Sequence, residues 1–163
     1  MKKNLPVTEV ERVLSAEDVI LSATNPHGII TYANPDFVRI SGFTQEELIH
    51  KNHNIVRHPD MPPAAFADLW ATLKGGQPWM GIVKNRCKNG DYYWVDAYVT
   101  LRKRDGQVVE YQSSRVKPTR ERVERAQAIY ARINEGKPSG AERRALSVAA
   151  KLALGFAVAL CPL

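Results

Sequence analysis

Cysteine is almost missing from this chain of 163 residues, with only Cys87 in the middle and Cys161 near the end. Two thiols so far apart make no disulfide framework, and they suit a reducing compartment. No secretory leader is expected either, because Met1-Lys2-Lys3 is followed by polar residues and no apolar stretch. Signatures of catalysis are lacking: there is no Ser-His-Asp order, no phosphate-binding glycine loop and no paired carboxylates. An enzyme is therefore not expected. Nor is disorder, since 44% hydrophobic and 25% charged residues describe an ordinary globular chain.

What the chain has in excess is positive charge, a formal +6. It is densest in residues 115–144, where Arg115, Lys117, Arg120, Arg122, Arg125 and Arg132 alternate with Glu121, Glu124 and Glu135. Such mixing describes a solvated helix, with nucleic-acid binding as a rival reading and no nucleic acid as the expectation. One long apolar run is present. From Ala145 to Leu163 only Ser147 and Lys151 are strongly polar. Its unbroken part falls short of the about 20 residues a bilayer needs, so the expectation is the first part of a membrane segment. Arg143, Arg144 and Lys151 would hold the preceding residues on the cytoplasmic side of that membrane. A short amphipathic or core helix is the alternative.

The local signals divide the chain into a flexible arm (1–15), a globular domain (16–118), a linker helix (119–138) and a membrane-proximal helix (139–163). Val19-Ile20-Leu21 and 28–33 read as a hairpin about the turn residues 25–28. Asn34-Pro35 looks like an N-cap with proline at the first helical position. Thr44 with Glu47 forms a capping box. After Asp60, Phe66, Leu69, Trp70 and Leu73 fall on one helical face, which predicts a buried stripe ending at Gly75-Gly76. Three strands follow, at 79–86, 92–101 and 108–116, with Asp105-Gly106 as a hairpin turn. Thr119 caps a polar helix to about Asn134, and Ser139 with Glu142 forms a second capping box. The fold class is α+β: a five-stranded antiparallel sheet, short helices in one crossover, then C-terminal helices. Between sheet and helices such a fold leaves room for a small molecule.

Several stretches together resemble PAS domains, and specifically the aerotaxis receptor family. They are residues 30–37, 41–44, 53–62, 78–86 and 88–95. The first two are common to many PAS domains. Arg57-His58-Pro59-Asp60-Met61-Pro62 and Trp79-x-Gly81-x-Val83-Lys84-Asn85-Arg86 are the specific ones. The resemblance implies FAD in the PAS pocket, a membrane anchor, and a downstream chemotaxis signalling module reached through a sensor that forms homodimers by its PAS or linker helices. The chain departs from the pattern in carrying no such module and in having Cys87 where a basic residue is expected.

A flavin needs a flat apolar slot, polar groups at its edge and positive charge near its phosphates. Residues 53–60 offer His53, Arg57, His58 and Asp60. Arg57 suits phosphate oxygens, while Asp60 can instead pair with Arg57 or cap the next helix. His58 can bond a ligand or brace the loop; the resemblance favours ligand binding for the cluster. Trp79 either walls the slot or fills the core, and Trp70 and Trp94 read as core. Asn34 and Asn85 can meet the ring edge, although capping suits Asn34 equally. A metal site at His50, His53, His58 and Asp60 is a weak rival, because His53 and His58 are not spaced for one helical face. Light-sensing flavin domains of this fold carry a reactive cysteine near the ring. Residues 54–58 have none, which favours redox sensing over a photoadduct.

Overall fold

A computed structural model describes residues 4–137. The expected membrane-proximal helix, its capping box and the apolar run lie outside the described residues. Among the described residues, no helix is long and apolar enough to cross a membrane.

The sheet has five antiparallel strands: β1 (Ile20–Thr24), β2 (Ile30–Ala33), β3 (Trp79–Arg86), β4 (Tyr92–Arg104) and β5 (Gln107–Val116). Their spatial order is β2-β1-β5-β4-β3. The first two strands thus pair beside the last, and the helical crossover spans the sheet from edge to edge. This is the predicted α+β arrangement.

Local chemistry explains each short element of the crossover. In α1 (Pro35–Ser41) the Asn34 side-chain Oδ1 accepts from Phe37 N, Pro35 holds the first position, and Gly42 ends the helix at φ +74°. Helix α2 (Gln45–Leu48) starts with both hydrogen bonds of the Thr44–Glu47 box, at 3.2 and 2.9 Å. A 3₁₀ turn covers His53–Val56. Then comes α3 (Pro63–Lys74), which opens after Pro62 with no side-chain cap. Asp60 is therefore not its N-cap. The β4–β5 hairpin turns through Asp105 and Gly106, both at positive φ, as a tight hairpin demands.

Side chains alternate across β4. Tyr93, Val95, Ala97 and Val99 face the main core with Phe37, Leu48 and Val56. Trp94 faces the other side. There α4 (Arg120–Asn134) lays Val123, Ala126 and Tyr130 over Trp94 and Ile82. The polar linker helix is therefore docked on one stripe, with Tyr130 Oη donating to Ile82 O at 2.6 Å.

Two expectations change. Arg115, counted with the solvated basic stretch, is 2% exposed and points inward from β5, because it shares the parity of Ser113 and Tyr111. The predicted buried stripe of α3 is buried only at Leu73, and Trp70 stands 36% exposed. The amino-terminal arm is also held. Thr8 N donates to Gly90 O and Arg12 N to Tyr92 O, at 2.9 and 2.7 Å. Arg86 donates to the carbonyls of Leu5 and Pro6 at 3.0 and 2.7 Å.

Candidate functional site

The apolar stripe of α3 is only partly packed because it faces a cavity of about 570 Å³ between the helix and the inner sheet face. That size lies within the roughly 300–1,000 Å³ of small-molecule sites. Leu69, Trp70 and Leu73 form one wall, and Val83, Ala97 and Val99 form the other. Trp70 meets the Tyr111 ring edge-on at 5.2 Å. Most of the lining is apolar.

One end is polar, and sequence reasoning passed over its centre. Arg115 donates through Nε to Ser113 Oγ at 2.9 Å and through Nη2 to Ser22 Oγ. Nη2 also lies 3.1 Å from His53 Nε2. Since a guanidinium only donates, that contact makes His53 Nε2 an acceptor and puts the ring proton on Nδ1. The guanidinium stacks on the Phe37 ring at 4.9 Å. Its Nη1 has no hydrogen-bond partner, and no carboxylate offsets its charge among the described residues. Burial brings the Arg115 pKa down to about 10, so the group stays charged at neutral pH. Burial, and then the Arg115 charge, push His53 down to about 3, so the imidazole stays neutral. Only the pairing of β5 with β1 and β4 places Arg115 on the core side.

The predicted site residues divide into two groups. His53, Arg57, Trp79 and Asn85 line the cavity. Asn85 is buried in β3 and stands opposite the wholly buried Tyr93. Arg57 lies over the Phe66 ring at 4.1 Å and donates to Met61 O at 2.8 Å. Asn34, His58 and Asp60 stand outside. The Asn34 amide is engaged by three backbone groups, accepting from Leu21 N and Phe37 N and donating to Val19 O. His58 is buried behind the loop, where its Nδ1 accepts from Asp60 N at 3.1 Å. Burial, together with Lys84, brings its pKa to about 4. Partial burial works against the Asp60 carboxylate, but the Lys84 ammonium at 2.7 Å outweighs it and lowers the pKa. Among the described residues, no group of three or more His, Cys, Asp or Glu side chains gathers as a metal site.

Cys87 is far from reactive. Its thiol is buried, donates to Ile40 O at 3.3 Å, and is pushed up to about 11 by desolvation.

The residues fit a flavin on two counts. The cavity has an apolar, aromatic-bearing lining suited to a ring system, and a buried cation with an unpartnered N–H stands among its polar residues. Comparison with known proteins agrees in fold. A PAS-fold family model matches residues 30–115, a little over half of the chain. The aerotaxis receptor of Escherichia coli K12 is 47% identical over 133 residues, 82% of this chain and 26% of that receptor. The chain thus spans about a quarter of the relative's length. The blue-light photoreceptor Aureochrome1 LOV, in its dark structure, superposes with a TM-score of 0.61 at 18% identity, covering 74% of this chain and 86% of that one. A light-oxygen-voltage domain whose mechanism was studied with a flavin analogue gives 0.57 at 21% identity, covering 73% and 87%.

Proposed function

Because the chain belongs to the PAS-fold family, we propose that it is a sensor domain holding FAD and reporting redox or oxygen state to a chemotaxis-type signalling module. The observation that carries this reading is Arg115. A buried guanidinium that has no counter-charge among the described residues, and whose Nη1 has no acceptor there, is costly unless something at the site accepts from that nitrogen. A ligand with acceptor atoms on that wall removes the cost. Support for a flavin comes from the likeness to the aerotaxis receptor and to the light-oxygen-voltage domain studied with a flavin analogue.

A bound flavin supplies electron uptake, with negative charge or a proton gained at the ring. The chain's own residues then have distinct tasks. Arg115 and Asn85 would hold the polar edge of the ring, with neutral His53 accepting at Nε2 from the Arg115 guanidinium and so fixing its orientation. Leu73, Val99 and Trp79 would wall its faces and exclude water. Arg57 would hold phosphate oxygens. Asn34, His58 and Asp60 act from outside: Asn34 ties β1 to α1, and the His58–Asp60–Lys84 group braces the loop that carries Arg57. A change of charge at the polar end shifts the balance of hydrogen bonds there, and the sheet passes it to α4 on its far face. Output would need partners: a second copy through the PAS domain or α4, the signalling module, and a membrane reached through residues 139–163 from its cytoplasmic side.

Absorption of the freshly purified protein tests the proposal. The expected result is a yellow protein that bleaches with dithionite, recovers in air, and releases FAD by mass spectrometry. Protein that stays colourless after incubation with FAD overturns it, and release of a different small molecule makes it a PAS module for that ligand.

A further inference from the structure

Trp79 forms part of the cavity wall, and two residues outside the predicted site decide where its indole lies. The tryptophan opens β3 on the inner face and is buried. Its ring folds back along the strand over Gly81. A methyl group added to Gly81 would lie 2.3 and 2.5 Å from ring carbons Cη2 and Cζ2. The indole therefore fills the space that any other side chain at position 81 would take. From there Nε1 reaches across to α3 and donates to Asp68 Oδ2 at 2.8 Å. An indole N–H can only donate, and a buried one needs an acceptor. A carboxylate makes this the stronger, charge-assisted kind of bond.

The bond's location gives it more than local meaning. Helix α3 has no side-chain cap at its start, and Phe66, Leu69 and Trp70 on its inner side line the cavity. Cohesion between this helix and the sheet is thin along the slot. We propose that Asp68 and Gly81 are positioning residues for the Trp79 indole, and that the Asp68–Trp79 bond fixes the breadth of the cavity and hence how tightly it grips a flat ligand. The ligand part rests on the flavin reading above; the position of the indole does not.

The chain has three tryptophans, so its indole N–H signals are few enough to assign by substitution. In the ligand-free protein, Asp68→Ala should move the Trp79 indole signal and speed its hydrogen exchange. With FAD as the probe, the same variant should raise the dissociation constant about tenfold, equivalent to about 1.4 kcal/mol. Asp68→Asn keeps a carbonyl acceptor and should restore most of the affinity. Gly81→Ala should displace the indole and weaken FAD binding more, with circular dichroism reporting whether the sheet is retained. In a Trp79→Phe background, Asp68→Ala should change FAD affinity less than twofold. An Asp68→Ala protein whose indole signal and affinity match wild type overturns the proposal, as does an equal loss of affinity in the Trp79→Phe background. If the wild type takes up no FAD but the indole signal still moves, the positioning role stands and the flavin reading falls.

Discussion

Burial acts on Arg115 and His53 in the same direction and leaves them in opposite states at neutral pH. The arginine falls to about 10 and keeps its charge; the histidine falls to about 3 and never takes one up. The pair thus presents to the cavity a fixed cation whose orientation a neutral imidazole holds. With FAD bound, Arg115→Met should lower the flavin's reduction potential by about 60 mV or more, the size of a tenfold change for one electron. Arg115→Lys should retain most of the wild-type value. Spectroelectrochemistry decides, and equal potentials in all three proteins would remove Arg115 from the site. Histidine burial also predicts a pH dependence. His53 and His58 have folded pKa values of about 3 and about 4, below the ordinary 6.5, so the unfolded chain binds more protons between those limits. Their contribution to stability is complete above about pH 6.5 and is lost as pH falls toward the folded values. Denaturant midpoints should drop between pH 7 and 5, before carboxylates begin to titrate. A flat profile would mean that neither imidazole is held neutral.

The elements divide by how they are anchored. Strands β3 to β5 are fixed by long ladders, whereas the arm and α4 are attached by a few contacts. Among the described residues Arg86 meets no carboxylate; it points instead at backbone carbonyls of Leu5, Pro6 and Lys88. Arg86→Met should therefore release the arm, seen as faster exchange of the Thr8 and Arg12 amides, at a cost of about 1–3 kcal/mol. Unchanged protection of those amides would show that the arm is held by other means. For α4 the anchor is Val123, buried against Trp94 and Ile82. Val123→Asp should undock the helix, with exchange in 120–134 rising at least about tenfold while the sheet stays protected. Most element boundaries were legible in the sequence because caps and turns are local chemistry: Asn34-Pro35, Thr44 with Glu47, and Asp105-Gly106 each specify their own geometry. The inner stripe of α3 was misread for a physical reason. Periodicity tells which side of a helix is apolar, and it cannot tell a packed core from a lined cavity.

For the whole molecule, the net charge of +6 suggests an anionic partner more strongly than the folded surface does. Arg115 is withdrawn into the core, Arg120 pairs with Glu11, and Arg122 pairs with Asp96. Binding to a mixed-sequence duplex should therefore be negligible at physiological salt. Tight binding with a steep salt slope would revive the nucleic-acid alternative. The fold and four of the cavity-lining residues could be picked from sequence. Arg115 could not, because a lone arginine at a strand end is indistinguishable from surface charge until β5 is paired with its neighbours. The alternation of β3 and β4 carries a final consequence. On these two strands Trp79, Val83, Asn85, Ala97 and Val99 look into the cavity, while Ile82 and Trp94 lie under α4. A genetic screen for altered signalling should sort itself by arithmetic. If the domain signals as proposed, odd-numbered lesions there should abolish the response to the stimulus, and even-numbered ones should leave ligand binding normal yet alter the output.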